Sequence, residues 1–256
     1  MVRFVGRRQG TSKLWRSVGG LAKQAMSSDG VIAHGYGAGL RFNAGGGNAG
    51  YALGTSEPEV QDAFAKLAGE GQVVYDIGAN AGFYTVIAAK LVGSSGRVFS
   101  FEPLPANIEL IEHNIALNGF ANVTQLPFAV GPASGHASFT LGFDNTRGGL
   151  TDQHVEPGTN GTIEVEVRSL DGLIAEGVAL PPDMIKMDIE GAEVAALNGA
   201  LSTLDEHRPK LLIEIHGTGA ELEPLLESHG YTCKVIDSDL RLAEAPWGMY
   251  VVATPR

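Results

Sequence analysis

The chain has 256 residues, of which 44% are hydrophobic and 18% charged, with a formal net charge of −11 and a single cysteine. That length suits one large α/β domain with a few additions, the composition excludes a disordered chain, and no window offers the roughly 18 uninterrupted apolar residues of a membrane span. Cys233 alone excludes an internal disulfide and argues against structural zinc, so a cytoplasmic setting is the expectation.

The charge is unevenly spread. Residues 1–28 carry six Lys/Arg and no acid, which leaves twelve basic against 29 acidic side chains in the rest. Phosphate contacts need a cationic surface, so an acidic body excludes nucleic acid as the expected partner. Leu14, Val18, Leu21, Ala22 and Ala25 recur at helical spacing and predict a basic amphipathic helix over 12–27. Three roles stay open for it: packing on its own domain or on a second subunit, contact with a membrane surface, or targeting.

Residues 31–53 are glycine-rich with short apolar stretches, which predicts a hairpin or loop and completes an N-terminal extension over 1–55. "SEPEVQDAFAKLA" then reads as a helix with Ser56 at the N-cap, Glu57 and Pro58 in the first turn, and an apolar face of Val60, Phe64 and Leu67. From residue 72 strands and helices alternate: "QVVYDIG", "FYTVIAAKLVG", "RVFSFEP", "PANIELIEHNIALNG" and "NVTQLPFAVG". The series resumes with "DMIKMDIEG", "AEVAALNGALSTLDE", "PKLLIEIHG", "ELEPLLESHG" and "YTCKVID", and closes on "GMYVVATP". This order indicates a doubly wound, mostly parallel sheet. Between the two halves "HASFTLG" (136–142) and "TIEVEVRSLDGLI" (162–174) alternate in steps of two and predict an inserted strand pair. The 19 polar, glycine-rich residues that join them are long for a loop in a compact domain, as lids and binding loops often are. Together with the glycine-rich 35–50 segment they are expected to shape an acceptor pocket, with Arg147 and His154 as closing residues.

Ligands of such sheets bind at the carboxyl ends of the strands, nearest the first strand–helix turn. Here that turn is "DIGANAG". Gly78, Ala79 and Gly82 let backbone approach a ligand closely, and the helix that follows offers free N–H groups. A pyrophosphate turn would read G-x-G-x-x-G; this one reads D-x-G-x-N-x-G, and Asp76 would repel a diphosphate but attract an ammonium. Glu102 stands 26 residues later at the tip of the second strand, where a carboxylate accepts hydrogen bonds from both ribose hydroxyls. Either acid alone could be a helix cap or a strand-end charge. As a pair at this spacing they point to a ligand with a ribose and a cationic amino-acid end, which S-adenosylmethionine has. Binding of NAD is the competing reading.

"VVYDIGANAGFYTVIAAK", "GRVFSFEPLPANIELIEHNIALNG", "VRSLDGL" and "IKMDIEGAEVAALNGA" together closely resemble the FkbM family of S-adenosylmethionine-dependent methyltransferases, over residues of about 50 to 235. The resemblance implies a class I, Rossmann-like methyltransferase domain over 56–256 with a seven-stranded sheet whose last strand is antiparallel. It also implies methyl transfer to a hydroxyl of a sugar, glycolipid or secondary metabolite. Carried over by position, Asp76, Gly78, Asn80 and Gly82 form the cofactor turn and Glu102 binds the ribose, with Pro103 and Asn107 beside it. Ala129 borders the adenine, and Thr55 and Glu57 contact the methionine end.

In-line displacement at a sulfonium carbon asks the protein to align the acceptor oxygen and receive its proton. Asp188, at the end of "KMD", is the first candidate for base or orienting group, with Lys186 on the same face and Glu190 in the next turn. His216 is the second, with Glu214 beside it in "EIH". A divalent cation held by Asp188, Glu190, Glu214 and His216 is a less favoured use of the same residues. The alternatives in function are N-methylation of a small amine, a cofactor-binding module without catalysis, and nicotinamide-dependent oxidoreduction.

Overall fold

The computed structural model describes residues 28–141, 148–150 and 161–256. The helix expected over 12–27, Arg147, His154 and most of the 143–161 loop lie outside these residues.

A short hairpin, β1 (Gly30–Val31) and β2 (Arg41–Phe42), leads into helix α1 (Ala49–Leu53) and helix α2 (Pro58–Leu67). The expected Ser56 cap is not there. Glu57 takes the N-cap position in a left-handed conformation (φ 48°) without a side-chain capping bond, and the Ser56 hydroxyl instead accepts from Asn48 Nδ2 at 3.1 Å. Pro58 at the helix start fits its fixed φ.

The alternating core follows as β3 (Val73–Ile77), α3 (Phe83–Val92), β4 (Arg97–Phe101), α4 (Pro105–Asn118) and β5 (Val123–Leu126). Pro127 has no N–H to donate to a ladder, and the predicted third strand divides there. Its second piece, β6 (Ala129–Val130), joins another sheet with β7 (Gly135–Leu141), β8 (Gly148–Leu150) and β9 (Thr162–Arg168), in the order β6-β9-β7-β8. The antiparallel β7–β9 pair is the expected insert, but β9 ends at Arg168. Ser169 then caps helix α5 (Leu170–Ala175) by accepting from Gly172 N, so the last part of the predicted strand is helical.

The chain returns through β10 (Met184–Met187), α6 (Glu193–Asn198), a π-helical turn (Thr203–His207), β11 (Lys210–Ile215), α7 (Gly219–Ser228), β12 (Tyr231–Val235) and β13 (Met249–Pro255). The predicted helix over 192–206 breaks at Gly199, where an added Cβ would stand 2.1 Å from the Gly131 carbonyl oxygen. The main sheet has seven strands in the order β12-β13-β11-β10-β3-β4-β5. All its pairings are parallel except those of β13 with β11 and β12. This is the class I methyltransferase arrangement, with its reversed final strand.

Strand alternation sorts the core into two layers. Tyr75, Ile77, Phe99, Phe101, Ile185 and Ile213 face α5, α6 and α7. Val74, Val98, Met184 and Leu212 face α2 and α3, where Ile32, Phe42 and Ala44 of the N-terminal segment share the same core with Phe64 and Phe83. Asp76 and Lys186 are register partners on adjacent strands, and the alternation puts both on this second face. Among the described residues no helix is long and apolar enough to cross a membrane.

Candidate active site

The carboxyl ends of β3, β4, β10 and β11 open on a cavity of ≈ 450 Å³. At its floor the chain makes the turn from β3 to α3. Gly78 (φ 78°) and Asn80 (φ 53°) are both left-handed, and the N–H groups of Gly78 and Ala79 share the Phe101 carbonyl at 3.0 and 3.1 Å. Asn80 N donates to Glu102 Oε2 at 2.9 Å, and Leu104 N donates to Glu102 Oε1 at 2.9 Å. Each oxygen of Glu102 is thus fixed by one backbone donor while the carboxylate borders the cavity. Burial pushes its pKa up to about 7, against the lowering effect of those N–H groups and of Asn107.

Gly78, Ala79, Asn80, Pro103 and Asn107 line the cavity with Glu102, and Ala129 lies among Phe128, Val130 and Phe139 in an apolar part of the wall. Gly82 caps α3 (φ 81°) but stands outside the lining. Asp76 is also outside it and fully buried. Its Oδ2 accepts from Thr85 Oγ1 at 2.6 Å, while Oδ1 has no hydrogen bond and faces Lys186 Nζ at 3.8 Å. The acid expected to meet a ligand's ammonium therefore meets a lysine beneath the cavity. Thr55 is exposed and away from the lining, whereas Glu57 borders the cavity and accepts from the Tyr84 hydroxyl at 3.2 Å.

The opposite wall is built from the ends of β10 and β11. Lys186 Nζ lies 3.5 Å from Asp188 Oδ2 and 5.0 Å from the centre of the Tyr84 ring. The Asp188 side chain is 23% exposed where it borders the cavity. Burial, with Glu214 and Glu190 nearby, raises its pKa to about 7 although Lys186 and His216 oppose the rise. His216 is buried, and its Nδ1 is 2.8 Å from Glu193 Oε1. Burial disfavours its cation, but Glu193, Glu214 and Asp188 outweigh this and push its pKa up to about 10. That rise holds with no cation bound beside the ring; a neutral His216 keeps Nδ1–H on Glu193 and a lone pair on Nε2. Burial also opposes the Glu214 charge, yet His216 and the Tyr250 hydroxyl hold its pKa below the usual carboxylate range. Tyr250 donates to Glu214 Oε2 at 2.7 Å.

Gly46, Gly47 and Asn48 bring the glycine-rich 35–50 segment to the cavity, as expected, while Tyr51 just beyond it and Tyr84 on the face of α3 line it without a sequence signal of their own. Glu193 stands in the "EGAE" motif, but its contact with His216 depends on how β10 and β11 are set side by side.

The sequence profile of the Methyltransferase FkbM domain matches residues 76–233, more than half of the chain. The chain belongs to the FkbM methyltransferase family. This FkbM-family protein is 27% identical over 160 residues to the hexuronic acid methyltransferase AglP of Haloferax volcanii. That match covers 62% of this chain and 62% of the Haloferax protein, less than two thirds of its length. It is also 27% identical to the 31-O-demethyl-FK506 methyltransferase FkbM of Streptomyces tacrolimicus, covering 63% of this chain and 73% of the relative. Among solved structures, a methyltransferase FkbM from Methylobacillus flagellatus KT aligns over 93% of this chain and 59% of its own, with 18% identity and a TM-score of 0.49.

Proposed function

We propose that this FkbM-family chain is an S-adenosylmethionine-dependent O-methyltransferase whose acceptor is a hydroxyl of a sugar, glycolipid or secondary metabolite. The observation that carries the reading is that Glu102 and Asp188 border one cavity from different strand ends, one suited to a ribose and the other to an acceptor. The cavity volume is that of a small-molecule site, and the fixed Glu102 oxygens keep lone pairs for two hydroxyls. Phe128, Ala129, Val130 and Phe139 supply the apolar wall that a purine needs. A dinucleotide fits less well, because the turn lacks the third glycine and Glu102 would oppose a diphosphate.

When bound beside Glu102, S-adenosylmethionine would supply a methyl carbon made electrophilic by its sulfonium. The chain's part is to hold the acceptor in line and take its proton. Asp188 borders the cavity, with Oδ2 toward Lys186 and Oδ1 toward His216, and its carboxylate takes up the hydroxyl proton. Tyr51, Tyr84 and Glu57 surround that end and limit water there. The same carboxylates would keep an amine protonated and without a nucleophilic lone pair, which favours a hydroxyl over an amine. The names of the Haloferax and Streptomyces relatives describe methyl transfer to a sugar acid and to a small molecule, in keeping with a glycan or small-molecule acceptor.

The test is incubation with methyl-labelled S-adenosylmethionine and a panel of neutral sugars, glycolipids, polyketide-type alcohols and small amines. Label in a hydroxylated acceptor, lost with Asp188→Asn, is the expected result. Label in amines only would overturn the O-methylation, and turnover unchanged in Asp188→Asn would overturn the proton transfer.

A further inference from the structure

The geometry points to a site for one first-row divalent cation, Mn2+ or Zn2+, held by Asp188, Glu214 and His216 at the acceptor end of the cavity. A ligand atom from each of these three side chains lies within 4.8 Å of the others. His216 Nε2 stands 3.5 Å from Glu214 Oε1, 3.6 Å from Glu190 Oε2 and 3.8 Å from Asp188 Oδ1. Each distance exceeds the roughly 2.7–3.2 Å of an N–H···O hydrogen bond. Two ligands bound to one ion at about 2.0–2.2 Å stand about 3–3.5 Å apart in ordinary geometries. His216 therefore needs to close on each carboxylate by only a few tenths of an ångström, with all three donor atoms within 4.8 Å.

The surroundings of the three residues carry the argument beyond a group of acids. Each ligand has one atom already engaged by an outer group and a second atom turned to the common point. Asp188 Oδ2 faces Lys186, Glu214 Oε2 accepts from Tyr250, and His216 Nδ1 pairs with Glu193. Glu193 is itself fully buried and fixed by Gly191 N at 2.9 Å and Thr218 Oγ1 at 2.8 Å. A buried carboxylate on the far nitrogen of a buried histidine sets the tautomer that leaves Nε2 free to ligate, and it strengthens that nitrogen as a donor. His216 is only 6% exposed, and its ring meets Trp247 edge-to-face with ring centres 4.9 Å apart.

One imidazole with two or three carboxylates suits Mn2+ or Zn2+ better than Mg2+, which favours oxygen ligands and water. Asp188, Glu190 and Glu214 all border the cavity, so an open coordination position faces the acceptor. The role of the ion rests on the O-methyltransferase reading: a hydroxyl bound there becomes more acidic and is oriented for attack. The site itself does not depend on that reading.

The test is calorimetric titration of the chelator-stripped full chain with Mn2+ and with Zn2+, and with S-adenosylhomocysteine in parallel. One ion per chain is expected. His216→Ala should abolish it, Glu214→Gln should weaken it, and Glu193→Gln should weaken it about 10–100-fold with all three ligands still present. A loose acidic surface would be indifferent to Glu193, and the manganese electron-spin-resonance signal would stay that of the free ion. Binding of S-adenosylhomocysteine without either cation, or cation binding unchanged in His216→Ala and Glu193→Gln, overturns the site and leaves the methyltransferase reading standing. Cation binding without S-adenosylhomocysteine does the reverse, and binding of neither removes both.

Discussion

Gly78 and Asp188 meet backbone to backbone: a Cβ at position 78 would stand 1.8 Å from the Asp188 carbonyl oxygen. With φ at 78°, the residue that shapes the turn from β3 to α3 also sets how closely β3 and β10 approach at their carboxyl ends. The two walls of the cavity are joined there. Gly78→Ala is expected to cost about 3 kcal/mol or more in stability, from left-handed strain together with the clash. Thermal unfolding checks this, and a melting temperature within a degree or two of the wild type would contradict the close approach.

Lys186 is nearly fully buried between Asp76 Oδ1 at 3.8 Å and Asp188 Oδ2 at 3.5 Å. Replacing it with Met leaves two carboxylates without their cation, and the expected loss is on the order of 3–5 kcal/mol. Adding Asp76→Asn to Lys186→Met should recover part of that loss, because one of the stranded charges is then gone. Denaturant unfolding of the four proteins in the cycle measures the coupling, and strict additivity would show that Lys186 does not serve Asp76.

Glu102 titrates at about 7 instead of 4.5 because it is buried. Its folded-state value is raised, so between about pH 4.5 and 7 the native state binds more protons than the unfolded state. Its burial therefore costs stability as pH rises through that window. The ribose hydroxyls need the carboxylate as acceptor, so affinity for S-adenosylhomocysteine should fall as pH drops below about 7, by up to tenfold per unit. Glu102→Gln should bind weakly with a flatter pH profile, and because its NH2 must face one of the two backbone N–H donors it should not gain the stability expected from removing a buried charge. Equal wild-type affinity at about pH 6 and about pH 8 would count against the carboxylate as the ribose acceptor.

Asp188→Asn keeps the shape of the cavity and removes the proton acceptor. Turnover is expected to fall by about 10²–10⁴ while S-adenosylhomocysteine affinity changes by less than about threefold. Paired turnover and binding measurements separate this from a collapsed site, which would lose both.

Strand–helix alternation made the sheet legible, because β3, β10 and β11 are mostly apolar segments of four to six residues between helical patterns, and a reversed last strand follows the family resemblance. What the pattern missed are breaks made by single residues: Pro127 diverting the third strand, Gly199 ending α6 against Gly131, and Ser169 turning strand into helix. At the site, Glu102, Asn80 and Asp188 are visible at strand ends because the fold places strand ends at the cavity. Asp76 shows the limit of that logic. Its position is the expected one, yet strand alternation turns it to the face of Thr85 and Lys186, and only the register of β3 with β10 brings the lysine there. Tyr51 and Tyr250 reach the site from segments far apart in sequence, where no local spacing marks them, and Glu193, though inside the "EGAE" motif, is tied to the site only through His216.

The most direct measurement is calorimetric titration of the full chain with S-adenosylhomocysteine, with NAD as the control ligand and Glu102→Ala as the second protein. Binding of S-adenosylhomocysteine alone, weakened about 100-fold or more by Glu102→Ala through loss of two charge-assisted hydrogen bonds, is the predicted result. Binding of NAD, or of neither ligand, would contradict the assignment of this cavity to S-adenosylmethionine.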